Sequence, residues 1–118
     1  FRLAVPEKEA LAKIFTCVSD DLLIEECTRA ILVGHNAFFD LGFVKAATVR
    51  TKLKSPFHQF STIDTVSLSA LYCGETVLAK AAVKSGIEWD NDQAHSALYD
   101  TQKTSELFCQ IFNSHILP

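Results

Sequence analysis

The stretch "RAILVGHNAFFD", Arg29–Asp40, decides the fold class of this chain. Its first half is a compact run of β-branched and other apolar residues that ends at Gly34, which predicts a buried strand. Its second half opens an amphipathic run, for which Asn36 is the expected N-cap and Asp40 falls in the first turn. A strand that leads directly into a helix is typical of α/β domains.

The segments before and after this strand and helix also show helical periodicity. Pro6 is expected to open an N-terminal helix, and a break near Ser19–Asp21 is expected to separate it from a short second helix. The helix after Asn36 is predicted to bury an apolar side made of Phe39, Phe43, Ala46, Ala47 and Val49. Farther along, "KSPFHQF" indicates a loop and "FSTID" indicates a short second strand.

The C-terminal half predicts three more helices. Asp64 is expected to cap one that ends at Gly74, and Gly86 is expected to close the next. The last helix follows the polar loop "IEWDNDQ", and its apolar face is predicted to carry Ala97, Thr104, Leu107, Phe108 and Ile111. Two strands are too few for a stable sheet, and the chain has no methionine. We therefore expect a fragment whose other strands lie outside it.

The composition, 48% hydrophobic and 21% charged with a net charge of -3, is ordinary for a globular domain. It gives no overall basic field, although a local basic patch can still bind phosphates. No apolar run is expected to span a membrane, and the N-terminus lacks a signal-peptide core. The four cysteines are predicted to be buried free thiols of a cytoplasmic protein: Cys17, Cys27, Cys73 and Cys109.

The segment "DQAHSALYDTQKT", Asp92–Thr104, carries the most specific chemical pattern. Residues five apart on a helix lie about 140° apart around its axis. We therefore expect His95 on the loop before the helix and Asp100 on its first turn or two. A fixed carboxylate can hold a divalent cation, and a mobile histidine can take a proton from an attacking water. The spacing alone also fits a turn-capping histidine and a surface acid, and Asp40 alone fits a favourable helix dipole.

Longer blocks decide between these interpretations. From about Glu7 to Asn113 the chain resembles the DEDDh family of 3'-to-5' exonucleases, most densely at "VGHNAFFD", "PFHQFSTIDT", "GETVLAKA" and "QAHSALYDTQKTSELFCQIFN". The resemblance implies an α/β, ribonuclease-H-like fold that lacks its N-terminal strands and is mostly helical in this fragment. Residues 1–118 would then be the C-terminal part of a single exonuclease domain.

The resemblance also implies a two-metal site. Asp40 and Asp100 match metal-ligand acids of the family, and His95 matches its general base. The metals would be two Mg²⁺ ions, for which Mn²⁺ can substitute. The family's remaining two acids, an Asp-x-Glu pair on an N-terminal hairpin, have no match in this chain. Asp64 is expected to be a helix cap and not a further ligand.

The substrate contacts follow in the same way. Phe39 and Phe60 match aromatic positions that stack on terminal bases, whereas Phe38 and Phe57 are expected to be packing residues. Phe38 stands where the family often has a polar residue.

A basic patch and the partners are also implied. Arg29 and Lys54 match family positions that hold RNA, with a solvated helix face as the alternative. The parent protein would be a cytoplasmic, homodimeric exoribonuclease that trims single-stranded 3' ends of tRNA and other stable RNAs, with single-stranded DNA as a further substrate. This fragment would be inactive alone. The alternatives are a DNA-proofreading exonuclease and a non-catalytic dimerising or RNA-binding remnant.

Overall fold

The strand that begins at Ala30 and the helix that follows it form the first part of a β-α-β unit. The computed structural model describes residues 4–116. Its elements in order are α1 (Glu7–Ile24), β1 (Ala30–Gly34), α2 (Ala37–Thr51), β2 (Phe57–Asp64), α3 (Thr65–Cys73), α4 (Leu78–Lys84) and α5 (Ala97–Ile116). The strands β1 and β2 form a parallel two-stranded sheet, with α2 as the connection between them. The prediction of a mostly helical α/β fragment is confirmed.

The described residues divide into two compact units. Unit 1 lies within 1–32 and 38–62, and unit 2 lies within 33–37 and 63–118.

In unit 1, α1 is one continuous helix, so the predicted break at Ser19–Asp21 is wrong. These polar side chains are exposed to solvent, where they need not compete with the helical hydrogen bonds of the backbone. Phe15 is the buried residue of α1, and its ring meets Phe57 of β2 edge-on at 6.2 Å between centroids. This pair confirms the prediction that Phe57 is a packing residue.

An ion pair joins α1 to α2 on the surface of unit 1. The Arg50 guanidinium donates two hydrogen bonds to the Glu7 carboxylate, at 3.0 and 2.7 Å. The hydrogen bond from Arg50, reinforced by its charge, lowers the pKa of Glu7. Both side chains are about half exposed, so solvent screens the pair and its contribution to stability is small.

The apolar side predicted for α2 is largely wrong. The helix buries Ala37, Leu41 and Ala47. It exposes most of the predicted side: Phe39, Phe43, Ala46 and Val49. Apolar residues occur almost all around this helix, so the 3.6-residue period does not single out one face. Tertiary packing buries a different face from the one predicted.

Asp64 provides the cap that was predicted for α3 and also the one expected from Asn36. Its Oδ1 accepts the N–H of Val66 at 2.9 Å and the N–H of Asn36 at 3.0 Å. Its Oδ2 accepts the N–H of Ala37, the first residue of α2, at 2.9 Å. Asn36 has a positive φ of 65° and does not act as the predicted N-cap. One carboxylate thus satisfies backbone donors at the start of two helices.

The strand β2 is longer than the sequence predicts. It begins at Phe57, so Phe57–Phe60 of the segment predicted to be a loop already belong to the strand, whereas residues 54–56 precede it. Pro56 and Ser55 precede it, and the Pro56 carbonyl accepts the N–H of Ala30 at 3.2 Å. Proline at the entrance of a strand is tolerated, because no ladder donor is required there.

The core of unit 2 lies where α3 and α4 pack on α5. Ala81, Leu107 and Ile111 are at its centre, and partly buried apolar side chains of Leu68, Cys73, Leu78 and Ile87 surround them. On α5, Thr104, Leu107 and Ile111 are buried as predicted, Phe108 is half-buried, and Ala97 is exposed against the prediction. Gly74 ends α3 in the left-handed conformation, with φ of 77°, and Gly86 follows α4 with φ of 79°.

The thiols are free but not buried as predicted. Cys17, Cys27 and Cys109 are exposed, and Cys73 is half-buried at the core of unit 2. Apolar neighbours in the sequence do not show that a thiol is buried, because adjacent residues on a helix point in different directions.

One segment is apolar enough for a membrane span by length and composition, contrary to the expectation from the sequence. It is Thr65–Lys84, with a mean hydropathy of 1.2. In the structure the segment is divided into α3 and α4 by the left-handed turn at Gly74, and both helices pack against α5. Core helices of globular proteins meet the same criterion, so the segment is weak evidence for a membrane.

Candidate active site

The His95–Asp100 pair has the arrangement that its spacing predicts. His95 lies in the turn before α5 with a positive φ of 73°, and Asp100 lies in the first turn of the helix. The Asp100 Oδ1 accepts the backbone N–H of His95 at 3.3 Å. The His95 side chain is exposed and makes no hydrogen bond within residues 4–116. The carboxylate therefore fixes the backbone of the turn while the imidazole remains free to meet a ligand.

The loop before His95 is held by its own polar side chains. The Asp90 carboxylate accepts the N–H of Asp92 at 2.9 Å and the side-chain amide of Gln93 at 3.0 Å. The bond from Gln93, followed by that from Asp92, lowers the pKa of Asp90. Because the pKa is lowered on folding, the stabilisation is present above the usual carboxyl range and is lost as pH falls through the lowered value. The loop is therefore expected to persist at neutral pH.

Tyr99 connects this loop to α5. Its buried phenol accepts the N–H of Asp90 at 2.7 Å, and its ring meets Trp89 edge-on at 5.3 Å. Ser96 Oγ accepts the N–H of Tyr99 at 3.4 Å, which caps the helix start. Trp89, Asp90 and Tyr99 are not predicted from the sequence, although aromatic residues around a polar loop that leads into a helix could indicate such support.

Asp40 belongs to unit 1 and lies in the first turn of α2. It is exposed, and within the described part of the chain its carboxylate accepts no hydrogen bond. The positive end of the helix dipole favours an acid at this position, and both oxygens remain available to a cation.

Asp40 in unit 1 and Asp100 in unit 2 each have a side chain of a type that binds magnesium. Asp40 and Asp100 offer carboxylate oxygens, which are the ligands that Mg²⁺ prefers. Among residues 4–116, however, no group of three or more His, Cys, Asp or Glu side chains is placed to hold a metal.

The aromatic residues predicted to bind bases are accessible in unit 1. Phe39 is 59% exposed and Phe60 is 77% exposed. Phe38 is 61% exposed, and its ring lies 4.3 Å from that of Phe39, so the prediction that it packs inside is wrong. The pair forms one exposed aromatic surface at the start of α2, next to Asp40.

His35 is a further supporting residue that the sequence does not predict. Its Nε2 lies 2.7 Å from the carbonyl oxygen of Thr76, which can only accept, so this nitrogen carries a proton. Its Nδ1 lies 2.7 Å from the Oγ1 of Thr65, a fully buried side chain. His35 thus links the chain before α2 to α3 and to the turn that precedes α4.

The predicted RNA-binding cations are exposed: Arg29 precedes β1, and Lys54 lies between α2 and β2. Neither forms an ion pair with a residue that the structure describes. Arg50, by contrast, is already paired with Glu7.

Comparison with known families now places the chain. A family model described as an exonuclease, the ribonuclease T type, matches residues 23–108. This range includes Asp40, His95 and Asp100. The chain therefore belongs to this exonuclease family, whose domain has the ribonuclease-H-like fold that the sequence predicts.

Among individual proteins the chain is similar to ribonucleases T of bacteria. It is 58% identical over 113 residues to ribonuclease T of Vibrio parahaemolyticus, covering 95% of this chain and 53% of that protein. It is 56% identical over 113 residues to ribonuclease T of Photorhabdus laumondii, covering 95% and 52%. With ribonuclease T of Wigglesworthia glossinidia brevipalpis it shares 50% identity over 114 residues, covering 96% and 53%. The chain spans about half the length of these curated relatives.

Proposed function

We propose that the full-length protein is a metal-dependent 3'-to-5' exoribonuclease that trims single-stranded 3' ends of tRNA and other stable RNAs, with single-stranded DNA as a further substrate. The observation that carries the proposal is the His95–Asp100 turn, in which a helix-anchored carboxylate fixes the backbone of an exposed histidine. Family membership and the similarity to ribonucleases T support the reaction class. Residues 1–118 would be the C-terminal part of its single exonuclease domain.

In this proposal the two acids and the histidine have different tasks. Asp40 and Asp100 would hold Mg²⁺ ions, or Mn²⁺ in their place, together with two acids from outside this chain. The metals would polarise the scissile phosphate and stabilise the leaving 3' oxygen. His95 would take a proton from the attacking water on its imidazole, which requires the neutral ring. Because these 118 residues carry only two of the four carboxylates that would hold the metals, they would be inactive alone.

The aromatic side chains would bind the RNA end. Stacking of a base on an exposed ring contributes about 1–3 kcal/mol and tolerates any base, which suits an enzyme that removes nucleotides successively. Phe39 and Phe60 have the exposure that this role requires.

Replacing Phe39 or Phe60 by Ala should raise the KM for a single-stranded RNA about 5- to 100-fold, which is the loss of one stacked base. The melting temperature should change little, because both rings are exposed. Phe15→Ala is the matched control, since Phe15 is 5% exposed and its deletion should cost about 3–5 kcal/mol of stability. If the Phe39 and Phe60 variants instead melt like the Phe15 variant and bind RNA normally, the stacking role is wrong.

The remaining parts of the proposal concern partners and location. We propose a cytoplasmic homodimer in which Arg29 and Lys54 contribute to a patch that holds the RNA backbone. Their exposure and lack of ion pairs in the described residues support this role. The names of the relatives favour RNA trimming over DNA proofreading, and the Asp40, His95 and Asp100 set favours an enzyme over a non-catalytic remnant.

A further inference from the structure

The side chains of β2 alternate between two faces of the strand. Phe57 points to the interior of unit 1, where its ring meets Phe15 at an interplanar angle of 69°. Successive strand residues point to opposite faces, so His58 and Phe60 share the other face. Phe60 is 77% exposed, and therefore burial does not hold its ring in one position.

The His58 imidazole folds over this face and contacts Phe60 in two ways. Its Nδ1 accepts the backbone N–H of Phe60 at 3.3 Å and that of Ser61 at 3.0 Å. Its ring meets the Phe60 ring edge-on, with 4.4 Å between centroids and an interplanar angle of 89°. A nitrogen that accepts from two amides carries no proton, so the neutral imidazole has its proton on Nε2. The backbone thus fixes the orientation of the imidazole, and the imidazole limits the positions of the Phe60 ring.

We propose that His58 is a positioning residue that holds the Phe60 ring ready for the terminal base of the substrate. This inference rests on the proposed function, in which Phe60 stacks on that base. An exposed aromatic side chain loses rotamer freedom when a ligand orders it, and a ring that is already fixed loses less. His58 itself contacts Phe60 and the backbone of β2, and it needs no contact with RNA.

The test uses His58→Ala and His58→Asn in the full-length protein. The Ala variant loses both the acceptor and the ring contact, so its KM for a short single-stranded RNA should rise about 2- to 10-fold. Its kcat should stay the same, because a lost binding contribution that is equal in ground and transition states leaves kcat unchanged. Asn offers a carbonyl oxygen that can accept a backbone N–H two residues on, and should restore part of the affinity. Quenching of 2-aminopurine at the RNA 3' end reports the stacking directly.

A double-mutant cycle with Phe60→Ala decides whether His58 acts through that ring. Once Phe60 is removed, His58→Ala should change KM by less than about twofold, because the two effects share one interaction. Equal effects of His58→Ala with and without Phe60, an unchanged KM in the single variant, or a fall in kcat would overturn the positioning role alone. If His58→Ala does not fold, the Asn variant supplies the same cycle. If Phe60→Ala itself leaves KM and quenching unchanged, the stacking part of the proposed function fails first, and the role of His58 fails with it.

Discussion

The Asp100→Asn variant of the full-length protein should trim RNA about 10²–10⁴-fold more slowly than the unmodified protein, which corresponds to about 3–5 kcal/mol of lost transition-state stabilisation. An amide is a poor ligand for a hard cation, so the metal would be held weakly. The fold should be preserved, because Asn keeps an oxygen that can accept the His95 N–H in place of the Asp100 Oδ1. RNA affinity, measured in Ca²⁺ or without metal, should therefore remain nearly normal.

Asp64→Asn is the matched control for this variant. Asp64 is also a carboxylate at a helix start, but its oxygens already accept backbone N–H groups of Asn36, Ala37 and Val66. The amide can accept with only one oxygen, so the variant should lose about 1–3 kcal/mol of stability while keeping its rate below the melting transition. Normal trimming by Asp100→Asn at ordinary Mg²⁺, or a larger rate loss in Asp64→Asn than in Asp100→Asn, would contradict the assignment of the metal ligand.

The second large effect is expected from His95. Replacing it by Asn should reduce the rate by about 10²–10⁴-fold, because the general base is lost. Asn is the appropriate replacement because His95 has a φ of 73°, a conformation that Asn adopts readily and that would cost Ala about 1 kcal/mol or more. The variant should therefore melt like the unmodified protein, which separates the loss of chemistry from a loss of structure.

The pH dependence gives the second readout for His95. Activity of the unmodified protein should rise with pH, because only the neutral ring can accept a proton from water. The rise should be absent in the Asn variant. A variant that keeps the rise and most of the rate would show that His95 serves only the structure of the turn.

Local sequence signals predicted the parts of the fold that depend on neighbouring residues. Asp64 before α3 and Gly74 after it are as expected, because a cap and a left-handed turn involve only residues within a few positions. The placement of His95 before α5 and of Asp100 within its first turn was predictable for the same reason. The catalytic roles of these residues came from longer blocks of resemblance and remain predictions.

The predictions that were wrong concern features that depend on contacts between residues far apart in the sequence. Asp64 meets the N–H groups of Asn36 and Ala37, which lie 28 and 27 positions away, so the N-cap predicted from Asn36 alone was wrong. The prediction of the buried face of α2 was also wrong, because several faces of this helix are apolar and only tertiary packing distinguishes them. His58 was missed because its role depends on two backbone bonds and a ring contact that strand periodicity does not reveal.

The most direct test of the proposed metal-dependent exonuclease is the shortening of a 5'-end-labelled single-stranded RNA. The full-length protein should remove nucleotides one at a time from the 3' end in Mg²⁺, and EDTA should stop the reaction. The same 118 residues alone should leave the RNA intact, because Asp40 and Asp100 provide too little negative charge to hold two cations about 3.5–4 Å apart. Shortening by the full-length protein in EDTA would contradict metal dependence. Shortening by the 118 residues that is lost in Asp100→Asn would show that this segment holds a complete site.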